Sequence, residues 1–150
     1  MKKINSTLGR LVGFGIAAVI AIGTPALAQG NAEEGESVFR KCQTCHRVGP
    51  EAKNATGPVL NGVIGRQAGT APEFSYSELN KSAGANGLVW TEELIFEYLA
   101  DPNVFLKKFL TDKGKADLAG GVSRMVFKLP DETDRRDVIA YLKKFSPPKQ

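Results

Sequence analysis

One histidine, two cysteines and two methionines are all that a chain of 150 residues offers as soft or imidazole ligands, and this scarcity excludes much. A structural zinc site draws four ligands from Cys and His; here His46, Cys42 and Cys45 are the full supply, so an acid would have to complete the set. A disulfide framework is also out of reach, because a bridge from Cys42 to Cys45 would close a tiny loop and the entropic gain grows with loop length. Alternating strand patterns are scarce, and there is no internal repeat, low-complexity tract or DNA-reading motif. The one extended apolar run, "LVGFGIAAVIAIG", has 13 residues, short of the roughly 20 that a spanning helix needs.

That run has a different reading. It follows "MKKINSTLGR", which is basic without an acid, and precedes "TPALA", an A-x-A site ending at Ala28. Residues 1–28 therefore read as a cleaved secretory leader, an uncleaved anchor being the alternative. The mature chain, 29–150, suits a single domain with one core. Three of the 20 basic residues and none of the 16 acidic ones lie in the leader, so the net charge falls from +4 to +1 on cleavage. Nucleic acid is thereby excluded as an expected partner.

What remains reads as short helices between long loops. "NAEEGESVFRKC" (31–42) is acidic first and basic last, as the helix dipole prefers, with Gly35, Phe39 and Cys42 on one face. Residues 47–71 are rich in Gly, Pro and Asn and read as loop. "SYSELNKSA" is a short helix, "TEELIFEYLADP" one capped by Thr91 and ended by Asp101-Pro102, and "NVFLKKFL" another short one. "DETDRRDVIAYLKKF" (131–145) carries the strongest signal, with Asp131 as N-cap and Val138, Ile139, Leu142 and Phe145 as its apolar stripe. The closing "SPPKQ" should fray. The fold class is all-α, and loops this long imply something large that organises them.

"KCQTCH" (41–46) supplies a candidate. A thioredoxin-like dithiol should follow a strand in a βαβ unit; here a helix leads in and no such unit follows. Zinc and dithiol chemistry stay as alternatives to a third reading, covalent haem attachment, which Cys-x-x-Cys-His signals. Cys42, Cys45 and His46 stand at i, i+3 and i+4, so one helical turn projects all three to one side. Two thiols can then add to the two vinyl groups of a porphyrin edge, and His46 is placed under the iron. With Met1 in the leader, Met125 is the remaining thioether and the candidate sixth ligand, against its ordinary use as a gap-filling core residue. A His/Met pair favours Fe(II) and fills both axial positions. The mature chain offers no further imidazole base or activated thiol, and Glu92, Glu93, Asp134 and Asp137 read as helix-end charges. An electron carrier rather than an enzyme is expected.

"GESVFRKCQTCH", "TGPVLNGVIGRQAG", "FSYSELNKSAG", "VWTEELIFEYLADP" and "RMVFKLPDETDRRDVIAYLKKF" together resemble the class I c-type cytochromes, most closely the bacterial cytochrome c2 group, over nearly the whole mature chain. The resemblance implies that fold wrapped around one covalent haem c. It implies thioether bonds at Cys42 and Cys45, axial ligation by His46 and Met125, and a hydrogen bond from His46 to the carbonyl of Pro58. Arg66, Tyr76 and Trp90 resemble residues that hydrogen-bond the inner haem propionates, and Asn80 and Tyr98 polar residues near the methionine side. Gly35 and Phe39 match a contact with Val138 and Tyr141. "VSRM" replaces the mitochondrial-type Pro-Gly-Thr-Lys run, and the stretch from Pro102 to Met125 resembles long-loop c2 forms.

By the same resemblance the partners are a quinol-oxidising cytochrome bc complex and a terminal oxidase or photosynthetic reaction centre, met in the periplasm by a monomer. Lys107, Lys108, Lys113, Lys115, Arg124 and Lys128, with Lys41, could form a positive ring that steers docking to acidic surfaces; the plain alternative is a solvated loop. Two other functions stay open: electron acceptor of a dedicated periplasmic dehydrogenase, and haem-based sensor of a small ligand.

Overall fold

Every α-helix among the described residues starts at a side-chain cap. Asn31 accepts from the amides of Glu33 and Glu34 to open α1 (Ala32–Phe39), and Ser77 accepts from Asn80 to open α2 (Glu78–Ala85). Thr91 caps α3 (Glu92–Ala100) through Leu94, Asp101 caps α4 (Pro102–Asp112) through Asn103 and Val104, and Asp131 caps α5 (Glu132–Lys143) through Asp134. Each such bond satisfies an amide with no partner inside the helix and contributes about 1 kcal/mol. The computed structural model describes residues 29–146; the expected leader and Pro147 to Gln150 lie outside the described residues. Among the described residues no strand forms, only an isolated antiparallel bridge between Gln67 and Val89, and a single 3-10 turn spans Ala116–Leu118. The all-α class of the sequence reading is the observed one.

The differences in extent have local causes. Helix α1 stops at Phe39, and the chain runs on to His46 as a series of turns. Helix α4 is longer than "NVFLKKFL", because Pro102 serves as its first residue, where a missing N–H costs nothing, besides ending α3. Helix α2 begins later than expected because Ser77, inside the expected span, is its cap.

The core forms where α1 crosses α5. A Cβ added at Gly35 would overlap the carbonyl of Asp137 and stand 2.9 Å from Cβ of Tyr141, so hydrogen is the only substituent that fits. Next to it the rings of Phe39 and Tyr141 lie 5.3 Å apart. Gly35→Val should overpack this crossing by about 2–3 kcal/mol and lower the melting temperature by roughly 10 °C or more in a thermal scan followed by far-UV circular dichroism. An unchanged melting temperature would mean that the close approach is not needed.

Two readings need correction here. Asp137 is not a helix-end charge: it is buried, and its Oδ1 accepts the amide of Asn31 at 2.7 Å, tying the entry of α1 to α5. Nor does "SPPKQ" fray from its first residue, since Ser146 is buried and its Oγ accepts the amide of Ile64. The long segment before α2 has no helix. Side-chain amides organise it instead: Asn61 exchanges hydrogen bonds with the backbone of Gly49 in both directions, and Asn54 joins Val59 to Pro72.

Candidate functional site

Helices α1, α2, α3 and α5 and the loops between them line a cavity of about 420 Å³, within the size range of cofactor pockets. Its walls are largely apolar, formed by residues such as Phe39, Leu60, Val63, Ile95, Leu99 and Leu142. All ten residues singled out in the sequence line it: Cys42, Cys45, His46, Pro58, Arg66, Tyr76, Asn80, Trp90, Tyr98 and Met125.

The motif reaches the cavity through the turns after α1, in which the amides of Cys45 and His46 both donate to the carbonyl of Cys42. Burial pushes the Cys42 thiol up to about 11, with Cys45 adding to the rise and Lys41 opposing it. It is therefore protonated at neutral pH, unlike the attacking thiolate of a disulfide oxidoreductase. Nδ1 of His46 lies 2.8 Å from the Pro58 carbonyl. A carbonyl can only accept, so the proton sits on Nδ1 and Nε2 keeps its lone pair. Burial lowers the imidazole pKa, against the pull of Pro58, which keeps the ring neutral as a metal ligand must be.

Gly57 was not singled out in the sequence, yet it fixes this ring. A Cβ there would stand 2.5 Å from Cε1, 2.8 Å from Nδ1 and 2.9 Å from Nε2 of His46. The imidazole lies flush against a bare backbone, held in plane by the neighbouring Pro58 carbonyl. The only signal in the sequence was its place in "TGP".

On another wall, backbone hydrogen bonds from Trp90 to Arg66 and from Gly65 to Trp90 flank the Gln67–Val89 bridge and bring Arg66 beside Trp90. The Arg66 guanidinium donates to the carbonyls of Asn61 and Val59. Burial lowers its pKa and raises that of Tyr76, each countered by the attraction between the two. Trp90 and Tyr98 pack with ring centroids 4.8 Å apart.

The methionine side is organised by Ser123, a second residue that sequence reasoning missed. Only 2% of it is exposed. Its hydroxyl donates to Oδ1 of Asn80, which also accepts from Ser77, and takes the amide of Met125 at 3.1 Å. Burial raises the Tyr98 phenol, against contacts with Ser123 and Asn80. The cavity thus gathers two thiols, a neutral imidazole with one free nitrogen and a thioether within apolar walls. That donor set suits a haem c, whereas no group of three or more His, Cys, Asp and Glu side chains able to hold a bare metal ion occurs among the described residues.

The basic ring is smaller than expected. Lys41 pairs with Asp134 at 2.7 Å, Lys108 with Asp112 at 2.5 Å and Lys128 with Asp101 at 2.5 Å. Lys107, Lys113, Lys115 and Arg124 are exposed and form no ion pair among the described residues. Glu92 and Asp134, for their part, are surface ion-pair partners of Lys143 and Lys41.

Short helices joined by long loops around such a cavity define a class I c-type cytochrome. No family model matches the chain. It is 63% identical over 118 residues to cytochrome c2 iso-2 of Rhodospirillum centenum, covering 79% of this chain and 98% of that protein. To cytochrome c2 of Rhodopseudomonas palustris it is 62% identical over 112 residues, covering 75% and 96%. The solved structure of cytochrome c2 from Rhodospirillum centenum superposes with a TM-score of 0.78 at 63% identity, over 79% of this chain and all of that one. The chain belongs to the cytochrome c2 family, whose members are electron carriers with one covalently attached haem c.

Proposed function

We propose that the chain works in the periplasm as a single-electron shuttle, taking electrons from a quinol-oxidising cytochrome bc complex and delivering them to a terminal oxidase or a photosynthetic reaction centre, and that it catalyses no reaction alone. The observation that carries this reading is the meeting of Cys42, Cys45, His46 and Met125 in one apolar cavity. Cys42 and Cys45 hold the haem by thioether bonds, and His46 and Met125 ligate its iron. The haem supplies the one-electron chemistry.

The protein's own residues set its terms. Pro58 and Gly57 fix the imidazole plane, and the hydrogen bond from Nδ1 raises the basicity of Nε2. The thioether of Met125 favours the ferrous state. Arg66, Tyr76 and Trp90 provide polar atoms for the propionates, while Asn80 and Tyr98 place polar atoms on the methionine side. The A-x-A site at Ala28 supports export, and no helix among the described residues is long and apolar enough to cross a membrane.

Lys107, Lys113, Lys115 and Arg124 make the approach to an acidic partner electrostatic. The second-order rate of electron transfer to a membrane oxidase or reaction centre should fall about tenfold between low and physiological ionic strength in stopped-flow measurements. The fall should be shallower in Lys113→Gln/Lys115→Gln. A rate independent of salt would refute steering, and failure to exchange electrons with any such complex would refute the shuttle.

A further inference from the structure

The segment that carries Met125 has almost no structure of its own. From Gly120 to Lys128 no backbone amide finds a backbone carbonyl among the described residues, and Val122 and Val126 are 66% and 75% exposed. Both of its ends are nevertheless tied to one place, the elbow where α3 gives way to α4. At the front, the amide of Ser123 donates to Oδ1 of Asn103 at 2.7 Å. At the back, Lys128 pairs with Asp101 and the amide of Leu129 donates to the carbonyl of Leu99 at 2.8 Å. Arg135, buried on α5 against the ring of Phe96, adds hydrogen bonds to the carbonyls of Leu129 and Pro130.

These ties are unequal. The Lys128–Asp101 pair is half-exposed and solvent weakens it. The Leu129 and Arg135 bonds lie beyond the segment's C-terminal end. Asn103 holds the amide of a fully buried residue two positions before Met125, and that same residue's hydroxyl takes the Met125 amide. Loss of the Asn103 acceptor would strand a buried donor, which costs more than an ordinary surface bond.

We infer that Asn103 is a positioning residue for the sixth ligand: through Ser123 it holds Met125 against the iron, and so sets how easily that position opens. The inference rests on the reading of Met125 as the axial thioether. It assigns to α4, part of the stretch lengthened relative to short cytochromes, a part in redox chemistry rather than in surface shape alone.

The test uses the ferric holoprotein and two readouts, the far-red sulfur-to-iron charge-transfer band and the association rate of cyanide with the iron. Asn103→Ala should weaken the band and speed cyanide association about tenfold. Asn103→Asp keeps the acceptor, and at the N-terminus of α4 its charge is tolerated, so it should restore both. Val104→Gly, at an exposed position on the same turn, lowers helix stability and should leave both unchanged. Equal effects of Asn103→Ala and Val104→Gly, no effect of Asn103→Ala, or no rescue by aspartate would overturn the positioning role. A wild-type protein without the band, or a Met125→Ala variant that keeps it, would instead overturn the ligand reading beneath it.

Discussion

Met125→Ala is expected to leave the haem attached, abolish the far-red sulfur–iron band and lower the reduction potential by on the order of 0.2 V, a modest part of the roughly 0.8 V that axial ligation spans. The reason is the softness of the thioether, which stabilises the ferrous iron more than the ferric. The vacated position would then admit cyanide or imidazole, since Met125 is the one thioether among the described residues and His46, the chain's single imidazole, is assigned to the other ligand position. Potentiometric titration of the purified variant decides the matter. A potential equal to that of the wild type would assign the sixth position to another residue and return Met125 to an ordinary packing role.

Removing both thiols should have a larger effect still. In Cys42→Ala/Cys45→Ala no thioether can form, and the haem would have to stay by coordination and packing alone. Without haem the apolar walls of the cavity would stand open to water, and burial of apolar surface is the main term that stabilises a small domain. An ordinary domain is stable by only about 5–15 kcal/mol, so the loss of that packing endangers the fold. The double variant should therefore be colourless after denaturing electrophoresis and largely unfolded by far-UV circular dichroism. The wild type should show an intact mass equal to residues 29–150 plus one haem. A variant that stays folded without haem would show that the apolar walls close on their own.

The helices could be read from the sequence wherever a short-range signal defines them. Thr91 and Asp131 cap where their spacing to the apolar stripe places them, and Cys42, Cys45 and His46 announce their joint chemistry within five residues. Pro102 misled on the extent of α4, because the residue that ends one helix is also the best opener of the next. Gly57 and Ser123 escaped notice for a different reason: their importance comes from what packs against them. The His46 ring is 11 positions from Gly57, and Asn80 is 43 from Ser123. Charge patterning failed similarly. A count along residues 101–128 makes Lys128 a contributor to a positive surface, whereas in space Asp101 holds it.

The crossing of α1 on α5 joins the two ends of the domain, and this has a bearing on how the protein is made. The thiols at Cys42 and Cys45 are synthesised early, while the surface against which α1 must pack is among the last residues to be made. Until Asp137 and Tyr141 have emerged, Gly35 and Phe39 have nothing to close on, and closing so long a loop carries its full entropic cost. Until the final helix has been made, α1 therefore has no α5 to pack on, and the core around Cys42 stays open.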